Sequence, residues 1–263
     1  MTNYTIKKNE NIDYLQFNKL LEFQDKLVHG IFLKNHNLGF HLKNDPEIRE
    51  ESVDKVCKEF KIDRSKIIQA RQMHTDIVQK VDNCTENIID GVDGFCTNRK
   101  NIATITTFAD CMPVMIYDPV NNVYANIHSG WKGVCNKIAL KGIEKIKENY
   151  DCKTNNLIVC IGPNISKESF LVNDDVVKIY NNVFGEYINK YPIISETEYI
   201  NKKGKQYKID NNLLMELMLK DVGVLKKNIF NCNICTVLDS KEFHSRRAEG
   251  PMFENNGNIM MLR

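Results

Sequence analysis

Three side chains that could meet at one metal ion dominate this sequence: His74 in Gln72-Met73-His74, Cys111 in Ala109-Asp110-Cys111-Met112-Pro113, and His128 in Ile127-His128-Ser129-Gly130-Trp131-Lys132-Gly133. Two imidazoles and a thiolate suit zinc, and three protein ligands with one open position is the arrangement of catalytic rather than structural zinc. The three lie too far apart along the chain for a local finger, so only the fold can gather them. Gln72, Asp110 and Ser129 stand beside them and could accept the second N–H of a metal-bound imidazole, as could backbone carbonyls. Without a metal, the histidines read as hydrogen-bonded loop residues and Cys111 as a buried thiol.

The same side chains suit other chemistry. Two histidines, one cysteine and the nearby Met73, Met112 and Met115 imitate the ligand set of a blue-copper centre. A multicopper oxidase also needs closely spaced histidine pairs, and none of the six histidines is separated from another by one residue. Alternatively, Cys111 is a nucleophile with His128 as its base, which would make the protein a metal-free thiol hydrolase or deamidase. A metal would hold the thiolate and suppress that nucleophilicity, so metal content separates the readings.

Two further motifs are weaker. Cys232 and Cys235 form one C-x-x-C between strand-like Ile229-Phe230 and Thr236-Val237-Leu238, with no second pair to complete a zinc ribbon, and read as structural. Phe243-His244-Ser245-Arg246-Arg247 sets two guanidinium groups side by side, suited to a phosphate or carboxylate, against the plainer reading of a solvated basic turn. The patterns of zincins, of ordinary zinc deaminases and of P-loop enzymes are absent.

The elements that must position the three residues follow from hydrophobic spacing. Ile67 to Ala70 reads as a strand delivering His74. Ile102 to Phe108, Val114 to Tyr117 and Val123 to Ile127 are β-rich runs, and Asp118 to Asn122 is a turn that makes the last two a hairpin. Antiparallel pairing there would bring Cys111 and His128 to the same end. Asp45-Pro46 reads as a cap and first-turn proline before a helix carrying Val53, Val56, Cys57 and Phe60, with Cys57 and Cys160 in the core. One helix is expected after Gly133, with Val134, Ile138, Ile143, Ile146 and Tyr150 near one face and lysines opposite. Leu157 to Ile161 is a strand, Asn173 is expected to cap a helix bearing Val176, Ile179, Tyr180 and Val183, and another helix starts after Asp210. Strands alternating with helices but including a hairpin predict an α/β fold with mixed sheets.

At 263 residues and 42% hydrophobic the chain can bury a substantial core, and the absence of repeats or a Pro/Gly/Ser linker predicts one domain over 1–263. Thirty-six basic against 34 acidic residues leave a net charge of +2, which provides no field for nucleic acid or an anionic membrane and favours a small ligand. No apolar run nears the ~20 residues of a membrane span, and the polar start lacks a signal peptide's apolar stretch, so a cytoplasmic location is expected. Nine scattered cysteines then predict reduced thiols rather than a disulfide framework.

Taken in order, these motifs resemble the YfiH-like proteins, long labelled multicopper polyphenol oxidases or laccase-domain proteins and now described as purine nucleoside phosphorylases. The resemblance runs from Asn37-Leu38-Gly39 and Asp45-Pro46 through the three segments above to Ile161-Gly162-Pro163, Cys235-Thr236 and Phe243 to Arg247. It implies that His74, Cys111 and His128 are zinc ligands. The fold it implies is a single α/β domain of mixed β-sheets flanked by helices, similar to a bacterial toxin deamidase. Departures are Lys132 where the family has arginine, His244 where it has tyrosine, and a shorter Phe32 to His36 segment lacking the family's arginine.

The activity so implied is phosphorolysis of adenosine, inosine and methylthioadenosine to free base and ribose 1-phosphate, with adenosine deamination as a companion. The partners are then purine nucleosides and phosphate, the cofactor zinc, with copper a possible occupant in vitro. For deamination, zinc would acidify a water and Asp110 would move protons. For phosphorolysis, Arg246, Arg247 and Lys132 are expected to contact phosphate or base, and Asn37 and Gln72 to contact substrate. Two rival functions are a zinc-dependent amide hydrolase editing UDP-N-acetylmuramate precursors and a binding or redox scaffold without turnover.

Overall fold

The computed structural model describes residues 2–34, 36–39, 46–202 and 204–263. Asp45, and with it the capping expected before Pro46, lies outside the described residues, as does Asn35. The architecture is mixed α/β: a seven-stranded and a six-stranded sheet packed face to face, a separate three-stranded sheet, and helices over the outer faces. Both large sheets combine parallel and antiparallel pairs.

Strand alternation explains how one run of residues feeds two cores. In Met112–Asp118, Val114 and Ile116 face the helical layer, while Met115 and Tyr117 enter the space between the sheets. Its hairpin partner Val123–Ser129 repeats this, with Val123, Ala125 and Ile127 toward the helices and Tyr124 between the sheets. With both faces covered, the strands read as continuous apolar runs. Asn126 occupies an inter-sheet position, where its amide donates to the Thr104 carbonyl at 2.9 Å and its oxygen accepts from Asn258. Helix Pro46–Phe60 covers the outer face of the seven-stranded sheet through Val53, Val56 and Phe60.

The hairpin register pairs Ser129 with Met112 and His128 with Pro113, which brings His128 beside Cys111 at one end of the molecule. The strand Ile67–Arg71, parallel to Ala103–Phe108 in the other sheet, ends at the same rim and presents His74. One sheet thus delivers His74, the other His128, and Cys111 sits in the turn that crosses between them.

Several expectations need correction. The segment after Gly130 is two helices, Trp131–Cys135 and Ile138–Tyr150, separated at Lys137, whose φ of 58° is left-handed. The apolar spacing continues across the break because Val134 and Ile138 enter the same core. Helix Asp174–Lys190 does start after Asn173, but that amide donates to Asn201 and to the carbonyls of Gly204 and Lys205 instead of capping, and Tyr180 and Phe184 are buried where Ile179 and Val183 are exposed. Thr236 to Leu238 forms turns rather than a strand, and Cys57 is only half-buried.

Replacing Asn126 with alanine should lower stability by about 1–3 kcal/mol, since the Thr104 carbonyl and Asn258 amide lose their buried partner. A denaturant midpoint within error of the wild type would show that the inter-sheet network contributes nothing.

Candidate metal and substrate site

His74, Cys111 and His128 converge so that one ligand atom from each lies within 4.8 Å of the others, the one such group of three among the described residues. The Cys111 sulfur is 3.6 Å from His74 Nε2. His74 is exposed, Cys111 half-buried and His128 buried, so the group opens to solvent on one side.

Asp93, which nothing in the sequence reading singled out, is the fully buried residue behind this group. Its carboxylate accepts from the backbone N–H groups of Met73, His74 and Thr75 at 3.3, 3.0 and 2.7 Å, from the Thr75 hydroxyl at 2.7 Å, and pairs with His128 Nδ1 at 2.8 Å. It therefore holds the loop on which His74 adopts a left-handed φ of 58°, and fixes the His128 ring so that Nε2 is the nitrogen left for a ligand. The second N–H of His128 goes to Asp93 rather than to Gln72, Asp110 or Ser129. A visible signal was the double turn Asp90-Gly91-Val92-Asp93-Gly94, but its partners lie in distant segments.

The charges reinforce one another. Burial would raise the Cys111 thiol, yet His128 and His74 outweigh it and bring the thiol down to about 6. Burial would lower His128, but Cys111 and Asp93 raise it to about 9. Asp93 is held down to about 2 by His128 and Thr75 against its own burial. The arrangement favours a thiolate beside an imidazolium, backed by a carboxylate.

A metal fits the space as well as the chemistry. Gly130 closes the site with an ordinary φ of −67°, but a Cβ there would stand 2.7 Å from His74 Cδ2 and 3.0 Å from the Cys111 sulfur. Only glycine keeps the space in front of the ligand atoms clear.

Two cavities meet at the ligand group and share His74, Ala109, Cys111 and Arg246 in their walls. The larger, about 500 Å³, is lined by Asp110, Ser129, Trp131, Phe170, Asp175 and Arg247 among others; the smaller, about 300 Å³, by Arg71, Gln72, Thr107, His128, Phe253 and Asn255.

Asp110 adopts a left-handed φ of 77°, and its oxygens accept from the Thr236 hydroxyl at 2.6 Å and the Arg247 N–H at 2.7 Å. It thereby fixes the Cys111 turn against two distant segments, a task beyond the proton transfer expected of it. The Arg247 guanidinium donates to the carbonyls of Ser169 and Leu171, clamping one wall of the larger cavity. Arg246 lies over the Phe253 ring with its guanidinium carbon 5.8 Å from the centroid. Gln72 is spent on Thr107, accepting from its N–H at 2.7 Å and donating to its carbonyl at 2.6 Å. Asn37 accepts from the Asn255 N–H behind the smaller cavity, and Lys132 lies over Trp131, outside either lining. Cys232 packs between the sheets while Cys235 contacts Ser166 and Ser169, and both are free thiols.

Residues 27–262 match the family model described as multi-copper polyphenol oxidoreductase laccase. Curated relatives include the purine nucleoside phosphorylase YlmD of Bacillus subtilis, 26% identical with 81% of this chain and 77% of the relative covered. A purine nucleoside phosphorylase of Rickettsia conorii is 30% identical, covering 89% of this chain and 94% of its own. Among solved structures, the hypothetical protein YfiH of Bacillus licheniformis superposes with a TM-score of 0.86 at 21% identity, covering 98% and 99% of the two chains. YlmD of Geobacillus stearothermophilus gives 0.84 at 19% identity over the full length of both.

Metal-free protein should be alkylated by iodoacetamide at Cys111 with a midpoint near pH 6 rather than 9, rate rising with pH as the thiolate forms, and zinc should protect it; a midpoint above 8 in peptide mass spectrometry would refute the thiolate assignment. Asp93→Asn should weaken zinc roughly 10- to 100-fold in chelator competition, and unchanged affinity would remove Asp93 from its orienting role.

Proposed function

The chain belongs to the multi-copper polyphenol oxidoreductase laccase family, and on that premise we propose that it is a zinc-dependent phosphorylase of purine nucleosides, releasing free base and ribose 1-phosphate. The observation that carries this reading is the metal-competent His74–Cys111–His128 group at the junction of two cavities with arginines in their walls, in a chain whose curated relatives are named purine nucleoside phosphorylases. Zinc fits the donor set better than copper because the histidine pairs of a multicopper centre are missing. When bound, zinc would supply Lewis acidity beside the substrate.

The protein's own residues do the rest. His74, Cys111 and His128 hold the metal, with Asp93 keeping the imidazole ring aligned. Arg246, which faces both cavities, is placed to offset the charge of phosphate or of the departing base. Arg247 shapes the wall through Ser169 and Leu171 and keeps its charge near the larger cavity. Trp131 and Phe170 offer flat apolar surface for a purine. Asp110 lines the larger cavity, and in this reading it exchanges a proton with substrate there, serving adenosine deamination as a companion reaction.

A second reading rests on a specific observation. Cys111, His128 and Asp93 stand in the order of nucleophile, base and orienting acid, so without metal the protein would be a cysteine hydrolase.

Chromatographic mass spectrometry of products from adenosine and inosine, with and without phosphate, decides between them. Phosphate-dependent base plus ribose 1-phosphate, lost on chelation and restored by zinc, is the expected result. Turnover that survives complete metal removal but dies on alkylation of Cys111 would replace it with the hydrolase.

A further inference from the structure

The lining of the larger cavity has two unlike parts. Arg246, Arg247 and Asp175 are exposed, whereas Val134, Ile165, Phe170 and Val172 belong to the core between the six-stranded sheet and the helices. Asn211 sits with the second part: it is the first residue of helix Asn211–Asp221, whose Leu214 and Met215 enter that same core, and it is only 7% exposed. Resting on the purine nucleoside reading above, we propose that Asn211, held by Tyr180, is a specificity-determining residue that favours 6-oxopurine over 6-aminopurine nucleosides.

Three asparagines line the cavity, and their amides differ. Asn164 is fully engaged, its Nδ2 donating to the Gly162 carbonyl at 2.9 Å and to Asn212 Oδ1 at 3.1 Å while its Oδ1 accepts from Asn212 Nδ2 at 3.0 Å. Asn173 exchanges hydrogen bonds with Asn201 and donates to the carbonyls of Gly204 and Lys205. Asn211 keeps a donor: its Oδ1 accepts from the Tyr180 hydroxyl at 2.8 Å, but its Nδ2 meets no acceptor among the described residues. That nitrogen is not sealed within the protein, so the small open surface of Asn211 presents an unsatisfied N–H to the cavity. A ligand acceptor would satisfy it.

Tyr180 makes the amide selective. It is fully buried, and burial pushes its phenol well above the ordinary range, so the hydroxyl stays protonated and donates to Oδ1. Turning the amide over would set Nδ2 against that hydroxyl hydrogen, so the cavity is offered a donor and not an acceptor. The helix start at Asn211 adds positive polarity in the same direction. A neutral donor beside apolar side chains suits a neutral acceptor better than a phosphate, whose charge would lose its water there. A 6-oxopurine presents two adjacent acceptors, O6 and N7, along one edge. A 6-aminopurine puts N–H groups in place of O6, donor against donor, and a site built for one polarity rejects the other.

Zinc-loaded protein is assayed with inosine and adenosine at saturating phosphate, and binding of the free bases hypoxanthine and adenine is followed through the fluorescence of Trp131, the single tryptophan, which lines the same cavity. The wild type should favour inosine in kcat/KM, and hypoxanthine in affinity, by roughly tenfold or more. Asn211→Leu should level both preferences by weakening the oxo member about tenfold, and Asn211→Asp, which accepts where the amide donates, should invert them. Tyr180→Phe frees the amide to turn and should also level the preferences, which a packing role for Tyr180 alone would not do. A wild type that treats the two nucleosides alike or prefers adenosine overturns the proposal without any variant having to fold. Variants that weaken both nucleosides alike, or that move the KM for phosphate and leave the preference unmoved, overturn it while phosphorolysis itself stands. Absence of turnover of either nucleoside, with no binding of either base, overturns both it and the reading it rests on.

Discussion

The Asp93 carboxylate is the constraint on which the rest of the site depends. A fully buried anion is expensive unless its oxygens are saturated with donors and a cation stands beside it. Here three backbone N–H groups, a threonine hydroxyl and an imidazolium meet that requirement at once. Because those donors come from the loop after Ile67–Arg71 and from the end of Val123–Ser129, the carboxylate can be satisfied only when the rims of both sheets are in register. Assembly of the fold and assembly of the ligand group are therefore one event.

The dependence continues outward. The Asp110 carboxylate ties the Cys111 turn to Thr236 and Arg247 much as Asp93 ties His74 to His128. Both acidic residues act on left-handed backbone, Asp93 on His74 and Asp110 on itself, where the hydrogen bonds offset the modest strain. Gly130 serves a different need, since its φ suits any residue and only the space before the ligand atoms excludes a side chain. The site is thus built from two anchored turns and one deliberately bare position.

Much of this was legible in the residues because it is local. The turn at Asp118 to Asn122 dictates antiparallel pairing, and pairing alone puts Cys111 and His128 at one end. The mixed α/β architecture followed from strand runs, helical spacing and that hairpin. Asp93 was not legible, because a buried carboxylate reads like a solvated turn acid until its five partners are brought to it from distant segments. Lys137 was missed since apolar spacing persists across the helix break, and Ile179 and Val183 because Tyr180 and Phe184 fill the buried stripe instead. The family resemblance pointed to His74, Cys111 and His128 as ligands, and the fold brings those three together.

The electrostatics also bear on why one scaffold invites both a metal and a thiol reading. A thiol in its ordinary range would have to shed a proton to take zinc at neutral pH, and that cost would be charged against affinity. Here the neighbouring imidazoles draw the Cys111 thiol down while Cys111 and Asp93 draw His128 up, which favours the thiolate before any ion arrives. A metal held there would take the place of the proton on His128 Nε2, and Asp93 on the opposite nitrogen would keep the ring in the tautomer that leaves Nε2 free for it. The same arrangement would favour metal capture and, without metal, a competent nucleophile, so occupancy would set the chemistry with no change in the protein.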